Sequence, residues 1–131
     1  MDEIFSFIII SYNRAEDTID AVRNVLQLDN VQGWKKEIIV LNNGSTQDYA
    51  IFQQYLSTLP NDERGLIHYI NHTKNLGVAG GRNLCINEAN GKYLLFMDDD
   101  AELNNKNVIQ LILDLYAKYE TEKLADRKSV V

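Results

Sequence analysis

The sequence predicts an α/β fold: a mostly parallel sheet of about four strands with helices on its faces. Three observations carry this. Short aliphatic runs alternate with longer stretches of helical spacing three times over. Parallel strands need crossovers of about that length, and those crossovers are right-handed. Three of the four runs also end in polar clusters, as expected where such a sheet presents its carboxyl edge to a ligand.

The elements follow in order. Phe5–Ser11 (FSFIIIS) is rich in β-branched residues and reads as the first strand. Arg14 to about Leu28 reads as a helix, with Ile19, Val22 and Leu26 on one face. Lys35-Lys36-Glu37 leads into Ile38–Leu41, the second strand, and Asn42-Asn43-Gly44-Ser45-Thr46 is a turn ending in a helix cap. A helix from about Gln47 to Leu59 buries Ile51, Phe52, Tyr55, Leu56 and Leu59, and Pro60-Asn61-Asp62 stops it. Leu66–Ile70 is the third strand. Asn75-Leu76-Gly77 turns into a helix from Val78 to Asn90, closed by Gly91 as its C-terminal glycine. Lys92–Met97 is the fourth strand, and Asn107 to about Glu120 the last helix, with Val108, Ile112, Leu115 and Tyr119 aligned. A polar tail runs from Thr121 to Ser129.

Length and charge narrow the function classes. A chain of 131 residues fits one domain and buries enough surface to need no staple. A net charge of −6, from 13 basic and 19 acidic residues, argues against a dedicated nucleic-acid binder. The single cysteine, Cys85, excludes an intrachain disulfide, suits a reducing compartment, and sits in a helical pattern as a small core residue. No basic leader and no run of membrane-spanning length is present, so a cytoplasmic location is expected. His68 and His72 fall on and just after a strand, which is not a helical metal spacing. Trp34, in a polar loop, reads equally as a packed cover or a partner surface.

The chemistry concentrates at the fourth strand. Tyr93–Met97 closes on Asp98-Asp99-Asp100, and three adjacent carboxylates repel unless something offsets their charge. If the chain stays extended, Asp98 and Asp100 point one way and Asp99 the other. Two hard oxygen ligands suit Mg²⁺ or Mn²⁺, which usually complete their coordination with substrate phosphate. The same edge receives Ser11-Tyr12-Asn13-Arg14 and Asn42-Asn43-Gly44-Ser45. Gly77, Gly80 and Gly81 surround a helix start but lack the GxGxxG and Walker A spacings. Arg82, early in that helix, opposes the dipole and points to an anionic partner.

Together FIIISYNR, EIIVLNNGST, NLGVAGGRN and NGKYLLFMDDDAEL resemble family 2 glycosyltransferases of the GT-A fold, in the family's order and from Phe5 to about Val108. The resemblance implies a Rossmann-like donor domain and transfer of a sugar from a nucleotide-diphosphate donor with inversion. Carried over by position, Ser11, Tyr12 and Arg14 line the base and diphosphate region. Asn42 stands where the family usually has a base-contacting aspartate; an amide both donates and accepts, so uridine, thymidine and guanosine donors all stay open. Arg82 and Asn83 match the family's arginine-asparagine after the glycine-rich turn. Asp98–Asp100 match the DxD element: Asp99 reaches the ribose side, and Asp100, with Asp98, holds the metal bridging the diphosphate.

The family's catalytic base and acceptor surface follow the DxD strand, and Glu102 is not cast as that base. Residues 1–131 are therefore expected to be a single nucleotide-sugar-binding domain, truncated before the acceptor half and inactive alone. Lys128–Val131 looks like the start of a further strand, so the outer side of strand four is expected to be an open edge that favours self-association. A saccharide or lipid-linked acceptor, and peripheral membrane association of the full-length enzyme, are also implied. Two other readings compete. One is a non-catalytic nucleotide-binding or interaction module on the same fold. The other is a phosphotransferase of the haloacid-dehalogenase type, which places its DxD after the first strand rather than the fourth.

Overall fold

The computed structural model describes residues 2–120 and 129–130. The elements are β1 (Glu3–Ser11), α1 (Ala15–Leu26), β2 (Trp34–Asn43), α2 (Ala50–Ser57), α3 (Asn61–Arg64), β3 (Ile67–His72), α4 (Gly77–Glu88), β4 (Tyr93–Asp98), α5 (Val108–Glu120) and β5 (Ser129–Val130). The strands form one sheet in the order β3-β2-β1-β4-β5. Every pairing is parallel, with Ser11 opposite Asn42 and Ile10 opposite Asp98.

Alternation along the strands explains the two layers. Phe5, Phe7 and Ile9 of β1 and Ile38 and Val40 of β2 face one side, where they bury Val22 and Val25 of α1, Phe52 and Leu56 of α2 and Ile109 of α5. Ile8, Ile39, Leu41 and Leu94 face the other side, against Cys85 and Ala89 at α4. A sheet covered on both faces requires nearly continuous apolar strands, which is how β1 and β2 read.

Several boundaries differ from the sequence expectation, each for a physical reason. Trp34 is no loop residue: it opens β2 and packs 5.7 Å from the Tyr93 ring, as a cover on the core. Lys36 is buried, and its ammonium donates to the carbonyls of Val25, Leu26 and Leu28, closing the C-terminal end of α1. Pro60 ends no long helix but precedes the single turn of α3. Gly91 is not a left-handed helix cap, since α4 leaves through an extended Ala89. Its role is close approach: a Cβ at Gly91 would strike Ser6 Oγ and stand 2.9 Å from the Tyr93 carbonyl. Cys85 is fully buried as expected, with its thiol pushed up to about 11 by desolvation.

The outer side of β4 is not wholly open. Tyr93 and Leu94 pair with Ser129 and Val130 of β5. The polar tail expected from Thr121, with Glu122 and Asp126, otherwise lies outside the described residues.

Candidate functional site

The strand order reverses between β1 and β4, with β2 and β3 lying to one side of β1 and β5 beyond β4. In an open parallel sheet that switch point leaves a crevice beyond the carboxyl ends. The loop after β1 and the aspartates after β4 meet there. The Tyr12 backbone N–H donates to Asp99 Oδ2 at 3.2 Å, and Arg14 Nε lies 3.7 Å from Asp99 Oδ1. Arg14 Nη1 is 3.5 Å from Asp100 Oδ2 and 3.2 Å from Asp17 Oδ2. These carboxylates hold the guanidinium pKa above its usual value, the Asp17 hydrogen bond most strongly, then the Asp100 and Asp99 charges.

The loop between β1 and α1 is rigid because the segment after β2 clamps it. Asn13 takes a left-handed backbone (φ 54°), which asparagine tolerates. Its Oδ1 accepts the N–H groups of Thr46 and Gln47, each at 2.9 Å, and its own N–H donates to Ser45 Oγ. Gln47 Oε1 accepts the Ala15 N–H, and Tyr49 Oη accepts the Arg14 N–H at 3.0 Å. Residues 45–49 thereby cap α1 from across the fold. With those groups engaged, α2 begins at Ala50 rather than at the expected Gln47, and Asp48 accepts the Ala50 N–H.

Two residues expected to line the ligand are buried and bonded to protein groups. Ser11 is fully buried, its hydroxyl bonded to Thr18 Oγ1 and Tyr49 Oη. Asn42 is 5% exposed; its amide donates to Asn71 Oδ1 and Tyr69 Oη, and its carbonyl oxygen accepts the Ser45 N–H. Both support the crevice floor. Next to Asn42, Asn43 Oδ1 accepts the Leu76 N–H at 2.9 Å and so positions the start of α4. Gly44 is indispensable at this junction. Its φ is +69°, and a Cβ there would collide with the backbone of Lys74 and Asn75.

The aspartate triplet is not extended. β4 ends at Asp98, and the Ala101 N–H returns to the Asp98 carbonyl, so the chain turns at Asp99 and Asp100. The alternating geometry expected of three strand residues therefore fails. Asp99 turns inward, its side chain 15% exposed, and desolvation raises its pKa against the lowering pull of the Tyr12 N–H and Arg14. Asp98 and Asp100 are exposed. The following loop is tied to α1: Asn24 accepts the Leu103 N–H at 2.7 Å and donates back to the Leu103 carbonyl. Among the described residues no group of three or more His, Cys, Asp or Glu forms a metal cage. Asp98 lines a cleft with Arg82 and Phe96, and Asp100 lines another with Asp17 and Arg23. Exposed carboxylates are the donor type Mg²⁺ and Mn²⁺ take, with a few protein oxygens and the rest from substrate and water.

Clefts flank Tyr12, itself 45% exposed. One of 650 Å³ lies between α1 and the start of α2, lined by Tyr12, Arg14, Asp17, Gln47 and Asp48. The other, of 560 Å³, is lined by Tyr12, Asn43, Val78, Arg82, Phe96 and Asp98. Arg82 stacks 4.3 Å above the Phe96 ring, which holds its charge in the same cleft as Asp98. Asn13, Asn24, Asn43 and Tyr49 are the site-shaping residues that sequence reasoning missed. Only Asn13 and Asn43 carried a signal, as asparagines at strand ends.

Residues 6–122 match the family model described as glycosyl transferase family 2, and the chain belongs to that family. It is 40% identical over 111 residues to an uncharacterized glycosyltransferase of Rickettsia bellii, covering 84% of this chain and 15% of that protein. It is 31% identical over 116 residues to an uncharacterized protein of Haemophilus influenzae, covering 87% of this chain and 60% of the other. The chain thus spans only about 15% of the rickettsial relative. Among solved structures, the mannosyltransferase PcManGT from Pyrobaculum calidifontis, in complex with GDP-Man and Mn²⁺, superposes with a TM-score of 0.76 at 19% identity, over 89% of this chain and 33% of that one. S. aureus TarS 1-349 in complex with UDP-GlcNAc gives 0.70 at 22% identity, over 92% and 32%. The fold is that of GT-A glycosyltransferases. Family membership sets aside the haloacid-dehalogenase alternative. Among the described residues no helix is long and apolar enough to cross a membrane.

Proposed function

We propose that this member of glycosyl transferase family 2 is the donor-binding part of an inverting, metal-dependent glycosyltransferase. One observation carries the reading: at the switch point, the β1 loop and the aspartate turn form a charged, half-open crevice around Arg14, Asp99 and Asp100. In the reaction, the acceptor oxygen attacks the anomeric carbon from the face opposite the diphosphate. The bond to the diphosphate oxygen breaks, its electron pair leaves with the diphosphate, and the acceptor proton passes to a base. Complexes of the structural neighbours with UDP-GlcNAc and with GDP-Man and Mn²⁺ support a nucleotide-sugar donor.

The proposed roles carry over from the family resemblance, and their placement around the crevice supports them. Tyr12 flanks the base, and Arg14 and Arg82 bring positive charge to the diphosphate from two sides. Asp99 would serve the ribose side and accepts the Tyr12 N–H, while Asp100, with Asp98, would hold Mg²⁺ or Mn²⁺. The bound cation would offset charge developing on the leaving diphosphate. Ser11 and Asn42 act from beneath. No described carboxylate beyond the triplet suits the base: Glu102 lies on the loop held by Asn24, and Asp114 is bonded to Gln110 on α5. The 131-residue chain is therefore proposed to bind donor without transferring it. The whole enzyme is proposed to act in the cytoplasm on a saccharide or lipid-linked acceptor, with peripheral membrane association. Self-association would use the outer side of β4, where among the described residues Tyr93 and Leu94 pair with β5.

Calorimetry with several nucleoside diphosphates, with and without Mn²⁺, tests the reading. Metal-dependent heats are expected, and equal weak heats in both conditions would overturn it. A non-catalytic module of the same fold predicts the same binding but no radiolabelled transfer by a longer protein carrying this domain.

A further inference from the structure

We infer that Arg14 is a resident counter-ion of the aspartate turn and couples cation binding to diphosphate binding. The inference rests on the reading of this crevice as a donor site and concerns how that site is regulated. The backbone of Arg14 is tied on both sides: its N–H donates to Tyr49 Oη, and its carbonyl accepts both the N–H and the hydroxyl of Thr18. Only its side chain is free to move, and that is half exposed. One guanidinium is shared by three carboxylates from two elements, Asp17 of α1 and Asp99 and Asp100 after β4.

Two consequences follow from that sharing. A guanidinium against Asp99 and Asp100 neutralises part of the charge a divalent cation needs, so Arg14 opposes binding of the cation alone. A diphosphate offers the same planar fork a better partner. Once Arg14 turns to phosphate, Asp100 is released toward the cation. The two ligands then bind with positive coupling, which by linkage acts equally in both directions. Asp17 sits on the other side of the balance. It makes the closest of the three contacts, 3.2 Å, and draws the guanidinium away from the triplet.

Mn²⁺ affinity, read by calorimetry in 0.15 M salt with no nucleotide and then with UDP or GDP, tests this on the whole chain. The salt screens exposed charges beyond about 8 Å. Arg14→Gln should tighten binding of Mn²⁺ alone about three- to tenfold, the range two half-exposed ion pairs support. It should also weaken nucleoside diphosphate binding and lower the coupling factor several-fold, leaving the part that direct cation–diphosphate contact supplies. Asp17→Asn should act oppositely and weaken Mn²⁺ alone, because Arg14 then rests wholly on the triplet. Lys92→Gln and Glu3→Gln make the same charge changes at the opposite edge of the sheet, at the starts of β4 and β1, and should leave Mn²⁺ affinity unchanged. Arg14→Gln that binds Mn²⁺ no tighter than wild type, or a Lys92→Gln that tightens it equally, overturns the inference while the donor site stands. If wild type binds neither UDP nor GDP with Mn²⁺ present, the donor-site reading fails and the coupling with it.

Discussion

The carboxyl ends of β2 and β4 lie on one edge of one sheet, on either side of β1, and are built in opposite ways. At the β2 end, Asn42 and Asn43 are buried, and each amide is engaged with neighbouring loops. At the β4 end, Asp98 and Asp100 are exposed, and charge is held only loosely by a half-exposed arginine. Both ends are runs of polar residues after an apolar strand. What separates them is whether the protein itself satisfies those groups. A saturated end is scaffold, and an end left with charge to offset is available to a ligand.

Substitutions can break this contrast, and the largest effect belongs to the scaffold end. Gly44→Ala forces a Cβ into the Lys74–Asn75 backbone at positive φ, and should cost roughly 3 kcal/mol or more of unfolding free energy in urea. A loss under about 0.5 kcal/mol would mean the junction is soft. Asn42→Ala leaves the Ser45 N–H, Tyr69 and Asn71 short of partners, and should destabilise by about 1–3 kcal/mol. Any change in nucleotide affinity should follow that loss. An unaltered stability with lost binding would instead return Asn42 to the ligand.

At the β4 end the expected pattern reverses. Asp100→Asn should leave stability intact and weaken metal-dependent binding at least about tenfold, or ~1.4 kcal/mol. Asp99→Asn should weaken it far less, because the amide oxygen still accepts the Tyr12 N–H. Equal losses would show that both side chains touch the ligands. The smallest effect is a pH trend. Burial raises the Asp99 pKa in the folded protein, so its stabilising contribution is complete below the unfolded value and is lost as pH rises through the folded one. Asp99→Asn should thus gain on wild type from acid to neutral pH in thermal melts. A variant that loses ground over that range would show the ionised form to be the favoured one.

Much of this architecture is legible in the sequence, because parallel strands buried on both faces must be continuous apolar runs. Phe5–Ser11 and Tyr93–Met97 are of that kind, and α4 and α5 begin and end within two residues of their periodic patterns. What is not legible depends on contacts between loops. Nothing local in Gln47 announces that it caps α1 instead of starting α2. Ser11 and Asn42 have the composition of ligand-contacting residues, and their protein partners, Thr18 of α1 and Asn71 of β3, are not visible in the local sequence. Gly91 looks like a helix cap because glycine serves two purposes, and choosing between them requires knowing that Ser6 passes beneath it. The turn at Asp99 and Asp100 is likewise fixed by the Tyr12 loop.

The strand order also has a kinetic meaning. β1, β2 and β3 adjoin one another in both sequence and space, so their pairings close short loops and can form as the chain leaves the ribosome. β4 must instead return past all of them to lie beside β1, aligning Tyr93 with Phe5. A contact of that sequence separation carries the largest closure entropy among the strand pairings that frame the crevice, and so forms late. Arg14 meets Asp99 and Asp100 only when that pairing is made. The crevice is thus a late product of folding, and a nascent chain ending at β3 holds three paired strands without it.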